Sequence, residues 1–138
     1  MKVVLKKGRD KSLRNNHPWI FSGAILEAPK NMKGEIYEVY SAEHEKLGEG
    51  FFNSNSQLIG RMLSFGNEPA EEAVKRHLKE AIQSRNYNSD TNAYRLVNGE
   101  GDFLPGLIID KYDDLAVIQI GSMGMERLKP LILESLPF

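Results

Sequence analysis

Five basic side chains lie within nine residues near the start of the chain, the densest cluster of groups suited to binding chemistry. They are Lys6, Lys7, Arg9, Lys11 and Arg14. Lysine and arginine side chains neutralise phosphate oxygens, so this cluster indicates a surface for a polyanion, with nucleic acid as the leading candidate. An ordinary solvated basic surface is the alternative that the spacing leaves open.

The aromatic residues that follow this cluster have two interpretations. His17 and Trp19 are of types that stack on RNA bases, but we favour a packed corner at Pro18-Trp19. We assign Ile20 and Phe21 to the hydrophobic core. Lysine and arginine therefore carry the predicted binding, with His17 as a weaker candidate.

The formal net charge of −1 conceals a strong asymmetry along the chain. Residues 1–34 carry eight lysines and arginines against two acidic residues, a net charge of +6, whereas residues 35–138 carry a net charge of −7. A basic N-terminal segment on an acidic body favours a localised anionic partner. The longest uninterrupted apolar run, at residues 115–118, is far shorter than the roughly twenty residues of a membrane-spanning helix, so no membrane partner is expected.

Metal and nucleophile chemistry finds little support in the sequence. The chain contains no cysteine, which excludes disulfides, thiolate metal sites and a cysteine nucleophile and fits a reducing, cytoplasmic location. His17, His44 and His77 lie about thirty residues apart, without the paired spacing of a zinc site. We assign His77 to a packed position on an apolar helix face and His44 to a solvated turn.

The glycine-rich segment at residues 99–102 is the remaining candidate for catalysis or nucleotide binding. It lacks the strand-to-helix context of a phosphate-binding loop, and no Gly-x-Gly-x-x-Gly pattern occurs in the chain. Glu100 and Asp102 are acids of the kind that forms turns, and no nucleophile-elbow motif places a serine. The sequence therefore predicts no catalytic residue, no bound cofactor and no metal in this chain.

Short strands separated by turns dominate the first half of the chain. The pattern predicts a short helix at residues 9–15 and strands at residues 3–5, 35–40, 47–52 and 57–65. Alternation is clearest in the second of these strands, where Tyr37 and Val39 share one face and Ile36 and Tyr40 the other. Strands at this spacing favour a small β-barrel or sandwich.

The second half has the pattern of an incomplete α+β unit. Its predicted elements are a helix at residues 70–82, strands at 94–97, 107–112 and 115–120, and a helix around 125–136 in which Pro130 delays the regular part. Asn86, Asn88, Ser89 and Asp90 are expected to end the first helix. A three-stranded sheet with so little cover leaves apolar surface exposed, so we expect a longer parent protein.

Two segments resemble motifs of a known enzyme family. The first reads Lys7-Gly8-Arg9-x-Lys11-Ser12-Leu13, followed by Pro18-Trp19-Ile20-Phe21-Ser22-Gly23. The second runs through Tyr94-Arg95-Leu96-Val97-x-Gly99-Glu100-x-Asp102-x-Leu104-Pro105-Gly106-Leu107-Ile108-Ile109-Asp110-x-Tyr112. They resemble the opening and the start of the central domain of PUA-containing ribosomal RNA methyltransferases, which use S-adenosylmethionine to methylate carbon 5 of a cytosine in 23S ribosomal RNA.

The resemblance implies a PUA domain over residues 1–66, a small β-barrel that docks on structured ribosomal RNA, and the start of a central α+β domain over residues 67–138. The family's Rossmann-like domain, with its cofactor loop and catalytic cysteines, is absent from this sequence. Carbon-5 methylation requires a thiolate to add to the pyrimidine ring. We therefore expect this chain by itself to be inactive as an enzyme.

The sequence leaves two functions to compare. The first is the RNA-binding N-terminal portion of such a methyltransferase, with contacts from Lys7, Arg9, Lys11 and Arg14 and weaker contacts from Lys6, His17 and Arg61. The alternative is a protein-interaction module that self-associates, as a homodimer, through the apolar hairpin at residues 107–120.

Overall fold

The computed structural model describes residues 1–85 and 93–137. Internal contacts divide the chain into two units, Met1–Ala73 and Val74–Phe138. The first unit is built on a curled β-sheet and the second on a smaller sheet with helices. This arrangement confirms the mixed fold class that the sequence predicts.

The first unit is a six-stranded sheet with one short α-helix. Its elements are β1 (Lys2–Leu5), α1 (Lys11–Arg14), β2 (Trp19–Ile20), a 3-10 turn (Ser22–Ala24), β3 (Ile25–Glu27), β4 (Lys33–Tyr40), β5 (Lys46–Asn53) and β6 (Gly60–Phe65). The strand order is β2-β6-β5-β4-β1-β3, and every neighbouring pair is antiparallel except β1 with β4. The two outermost strands, β2 and β3, are joined only by residues 21–24, so the sheet must curl into a half-barrel.

Strand β4 shows the alternation that the sequence predicts. Tyr37 and Val39 are buried, whereas Ile36, Glu38 and Tyr40 are half-buried on the opposite face. The buried face joins a core that includes Phe52 of the neighbouring strand β5 and Met62 of β6. Period-two burial of this kind is what a half-solvated antiparallel strand requires.

Strand β5 is irregular and contains two glycines, Gly48 and Gly50. Its register shifts against both neighbours, after Val39 in β4 and between Glu49 and Gly50 opposite β6. Gly48 has a φ of +149°, and a Cβ atom at this position would overlap the carbonyl oxygen of Ser64. Only glycine fits here without strain, since both the backbone conformation and the close approach exclude a side chain.

The second unit has a three-stranded antiparallel sheet and three helices among its described residues. Its elements are α2 (Ala70–Ser84), whose first residues fall in the first unit, β7 (Ala93–Asn98), a 3-10 turn (Gly99–Asp102), β8 (Leu107–Tyr112), β9 (Leu115–Ile120), α3 (Met123–Arg127) and α4 (Lys129–Ser135). The strand order is β7-β8-β9, with β8 in the centre. The predicted order of one helix, three strands and a final helical region is confirmed.

The helices differ from prediction in detail. The apolar stripe of α2 is buried at Ala73, Val74, Leu78 and Ala81, as its periodicity predicts. The final helix is two short helices divided at Leu128, because Pro130 lacks an N–H and is tolerated only in the first turn of α4. The residues expected to end α2, at positions 86, 88, 89 and 90, lie outside the described residues.

Over the described ranges, none of the helices has the length and apolar character needed to cross a lipid bilayer.

Candidate nucleic-acid interface

A groove of about 250 Å³ lies beside α1 in the first unit, and we call it the basic groove. Its lining includes three buried apolar residues, Leu13, Ile20 and Ala24. The other lining residues are Gly8, Arg9, Lys11, Ser12, Trp19 and Phe21. The groove therefore combines an apolar base with cations and exposed aromatic rings.

Backbone hydrogen bonds hold the segments that form the basic groove. The N–H of Lys6 donates to the carbonyl of Ala24 at 2.8 Å, and the N–H of Met62 donates to the carbonyl of Pro18 at 2.7 Å. The N–H of Ser22 donates to the carbonyl of Gln57, also at 2.8 Å. The groove is thus built on segments tied to the sheet, which gives it a defined shape.

Four of the predicted cations are available for a ligand. Lys6, Lys7, Arg9 and Lys11 are exposed, and none of them forms an ion pair with a carboxylate of the described residues. Arg9 and Lys11 line the groove directly, while Lys6 and Lys7 precede it in the loop after β1. Cations without an internal partner are the ones that gain most from a phosphate group.

Arg14 has a different environment from the other predicted cations. Its Nε donates to Asp10 at 2.6 Å and its Nη2 donates to Glu45 at 2.8 Å. Hydrogen bonds from this guanidinium lower the pKa of both carboxyl groups. Two carboxylates already compensate the charge of Arg14, which gives it a structural role, and its phosphate contact stays a prediction.

The aromatic residues of the groove correct one prediction. Phe21, assigned to the core, is 54% exposed, whereas Ile20 is buried as predicted. Trp19, assigned to a packed corner, is 37% exposed and contacts the rings of His17 and Phe21. Side chains alternate in direction along extended backbone, so the inward position of Ile20 turns its two neighbours outward. The i, i+2 spacing of His17, Trp19 and Phe21 around Ile20 is the sequence pattern from which the outward direction of the three rings could have been predicted.

The three outward rings form a continuous edge-to-face series. The ring centroids of His17 and Trp19 are 5.4 Å apart, and those of Trp19 and Phe21 are 6.5 Å apart, each pair with an interplanar angle of 86°. His17 is exposed, and its Nδ1 accepts a long hydrogen bond of 3.4 Å from the N–H of Trp19. Arg61, the last predicted RNA contact, is half-buried and stands opposite Trp19 in the pairing of β2 with β6.

A family model described as a PUA-like domain matches residues 3–65, the same residues that form the curled sheet and the basic groove. We refer to residues 3–65, which this model matches, as the PUA-like domain. The match confirms the PUA part of the resemblance that the sequence motifs indicate.

Curated relatives extend the similarity beyond the PUA-like domain. The chain is 40% identical over 140 residues to the ribosomal RNA large subunit methyltransferase I of Vibrio cholerae and 34% identical over 144 residues to that of Escherichia coli. These alignments cover 97% and 99% of this chain but only 35% and 36% of the relatives. The chain therefore spans about a third of the length of the curated relatives that it matches.

Solved structures show the same fold over nearly the whole chain. A methyltransferase from Streptococcus mutans, described as S-adenosylmethionine-dependent, matches with a TM-score of 0.81. A methyltransferase structure in complex with S-adenosylhomocysteine (SAH) matches with a TM-score of 0.82. Each is 19% identical to this chain, and the match covers 98% of this chain and 36% of the other. At this identity the likeness establishes the fold.

Outside the PUA-like domain, Asp102 and His77, which were considered for catalysis or metal binding, make contacts that stabilise the fold. Asp102 accepts hydrogen bonds from the N–H of Asn98 and from the guanidinium of Arg85, both at 2.7 Å, so it closes the turn after β7 as the sequence predicts. His77 is half-buried with its ring centroid 5.4 Å from that of Phe103. Within the described ranges, His, Asp and Glu side chains form no group of three that could hold a metal ion.

His44, the remaining histidine considered as a ligand, lies within the PUA-like domain. It is exposed in the turn between β4 and β5, with a φ of +65°. The solvated turn that the sequence predicts for it is confirmed.

Proposed function

We propose that this chain is the RNA-binding N-terminal portion of a ribosomal RNA methyltransferase, and that the PUA-like domain docks it on structured ribosomal RNA. The observation that carries the proposal is the group of exposed cations around the basic groove, Lys6, Lys7, Arg9 and Lys11. The curated relatives named as ribosomal RNA methyltransferases support the same function. The cytoplasmic location remains a prediction from the sequence.

We further propose that the parent enzyme uses S-adenosylmethionine to methylate carbon 5 of a cytosine, as the resemblance implies. The neighbour in complex with SAH supports this cofactor for a protein of the same fold. The thiolate that the chemistry needs would come from residues outside this chain, because the chain has no cysteine. The contribution of these residues would then be to position RNA.

The charge distribution sets the expected strength of RNA binding. Each phosphate contact contributes a slope of about −0.7 to −0.9 in log K against log salt, so three or four contacts give a slope of about −3. The remainder of the chain carries a net charge of −7 and on balance repels a polyanion. We expect an affinity on the order of micromolar, similar to non-specific nucleic-acid binding at physiological salt.

Fluorescence anisotropy with a labelled hairpin of ribosomal RNA tests this proposal across a series of salt concentrations. Arg9→Glu should weaken binding by about tenfold or more and make the salt slope shallower by about one contact. Lys30→Glu is the matched control, since it makes the same charge change on an exposed residue of the same domain outside the groove lining. Equal effects of the two variants, or no salt-dependent binding at all, would contradict the proposal.

Self-association remains a second candidate function, because one face of the second unit carries exposed apolar residues. Leu115, in the edge strand β9, is 62% exposed and lies beside exposed Tyr112 of β8, with exposed Val117 on the same face of β9. Apolar side chains on an edge strand favour pairing with another chain. Sedimentation velocity tests this: Leu115→Lys should convert a concentration-dependent dimer into a monomer, and a wild type that is monomeric at every concentration rules the candidate out.

A further inference from the structure

We propose that the basic groove binds one unpaired nucleotide of the RNA, with its base stacked against Phe21 and its flanking phosphates neutralised by Arg9 and Lys11. This inference rests on the proposed RNA-binding function and adds the kind of RNA element recognised. It predicts that the protein prefers a bulge or loop over a continuous helix.

The aromatic rings of Trp19 and Phe21 are exposed at the groove. Phe21 is 54% exposed although it lies beside the buried residues Leu13, Ile20 and Ala24, which line the same groove. Its backbone carbonyl accepts the N–H of Ala24 at 3.0 Å, and its ring lies edge-to-face with that of Trp19 at a centroid distance of 6.5 Å. A fixed aromatic face at an apolar groove surrounded by cations has the chemistry of a base-stacking platform.

The angle between the rings restricts what can enter. The rings of Trp19 and Phe21 are nearly perpendicular, with an interplanar angle of 86°. A flat group that stacks on one ring is therefore perpendicular to the other. The volume of about 250 Å³ lies below the range of roughly 300–1,000 Å³ typical of pockets for larger ligands. One planar ring system fits this corner better than a set of stacked base pairs.

The charges at the groove identify the ring system as part of a nucleic acid. Arg9 and Lys11 line the same groove as Phe21 and pair with no carboxylate among the residues that the structure describes. Gly8 also lines the groove, and no atom lies within 4 Å of the position that a Cβ atom would take there. A cationic rim with an accessible backbone suits phosphates on both sides of a stacked base.

The base must be unpaired for this contact to form. Bases within an A-form helix are stacked on their neighbours, so their faces are not accessible to a protein ring. Nucleotides in bulges, loops and strand ends have accessible faces and stack on aromatic side chains. Stacking tolerates all four bases, so the groove should select for an unpaired position and only weakly for its sequence.

Trp19 provides a direct optical readout, because it is the single tryptophan of the sequence and lines the groove. We would titrate the full chain with two RNA hairpins that differ only by one bulged nucleotide and whose strands are joined by a non-nucleotide linker in place of a loop, and record tryptophan fluorescence and affinity for both. The wild type should bind the bulged hairpin about tenfold more tightly, the effect of one stacked base. Only that hairpin should change the Trp19 emission strongly.

Phe21→Leu removes the aromatic face while keeping an apolar side chain, so it should abolish the preference by lowering the affinity for the bulged hairpin to that for the paired one. Leu26→Ala is the matched control, since Leu26 is 61% exposed and lies outside the groove lining. A thermal melt of each variant verifies that the fold is retained. Loss of affinity for both hairpins in a folded Phe21→Leu contradicts the stacking role.

The outcomes separate this inference from the function on which it rests. If the wild type binds both hairpins equally with a steep salt dependence, RNA docking holds and the nucleotide pocket does not exist. If neither hairpin binds at low salt, the proposed function itself is wrong. Retention of the preference for the bulged hairpin by Phe21→Leu would place the unpaired nucleotide elsewhere on the surface and overturn the inference.

Discussion

Arg14 and Glu45 lie 31 positions apart in the sequence and form an ion pair of 2.8 Å that links α1 to the turn between β4 and β5. The same guanidinium also bonds to Asp10, four residues before it. One cation of the basic cluster therefore holds two parts of the PUA-like domain together. Its neighbours in the sequence remain available for a ligand.

This division of roles predicts different effects for two arginine variants. Arg9→Ala should make the salt slope of RNA binding shallower by about 0.7 to 0.9, as expected for one lost phosphate contact, without changing the unfolding midpoint. Arg14→Ala should lower the unfolding midpoint slightly and leave the salt slope unchanged. Anisotropy titrations and thermal melts of both variants measure the two effects. A shallower slope for Arg14→Ala would restore this residue as a phosphate contact.

The ion pairs of Arg14 also predict a dependence of stability on pH. Hydrogen bonds from Arg14 lower the pKa of Asp10 and Glu45 below their usual values of about 4 in the folded protein. A lowered folded pKa contributes stability that is present above the usual value and is lost as the pH falls through the lowered one. Urea unfolding should therefore show a difference between wild type and Arg14→Ala at pH 6 that shrinks below about pH 4. A difference that stays constant with pH contradicts the assignment.

Gly48 predicts a large loss of stability on a minimal substitution. Gly48→Ala should destabilise the first unit by more than about 2 kcal/mol, because alanine is strained at a φ of +149° and its Cβ would overlap the carbonyl oxygen of Ser64. Gly23→Ala is the matched control, since no atom lies within 4 Å of the Cβ position there. Chemical denaturation of both variants gives the comparison. Similar midpoints for the two would show that β5 relaxes around the new methyl group.

Substitution of Asp102 is expected to lower the stability of the protein without changing its affinity for RNA. Asp102→Ala should lower the free energy of unfolding by about 1–3 kcal/mol, because the N–H of Asn98 and the guanidinium of Arg85 each lose their 2.7 Å acceptor. Asp114→Ala, at an exposed acid in the β8–β9 turn, controls for the change of charge. RNA affinity should remain within about twofold of wild type for both. A selective loss of RNA binding in a stable Asp102→Ala protein would point to a direct role of this carboxylate.

Features with a strong local period could be predicted from the sequence by itself. The alternation of Tyr37 and Val39 in β4 and the helical stripe of α2 depend only on neighbours within a few residues, and the structure has both. The turn role of Asp102 followed from local chemistry in the same way. The basic N-terminal segment and the PUA-like motif are likewise properties of composition and order along the chain.

Other features depend on contacts between residues that are distant in the sequence, and only the tertiary structure decided them. Strands β2 and β3, at the two ends of the strand order, are too short to show a period in the sequence. Phe21, which follows β2, is exposed, although its apolar side chain predicted a position in the core. The partner of Arg14 is contributed by a turn 31 residues away, which no local spacing predicts. Residue types determined which side chains are suited to bind RNA, but the packing of Ile20 and the position of Glu45 determined which of them are exposed at the basic groove and which is already ion-paired.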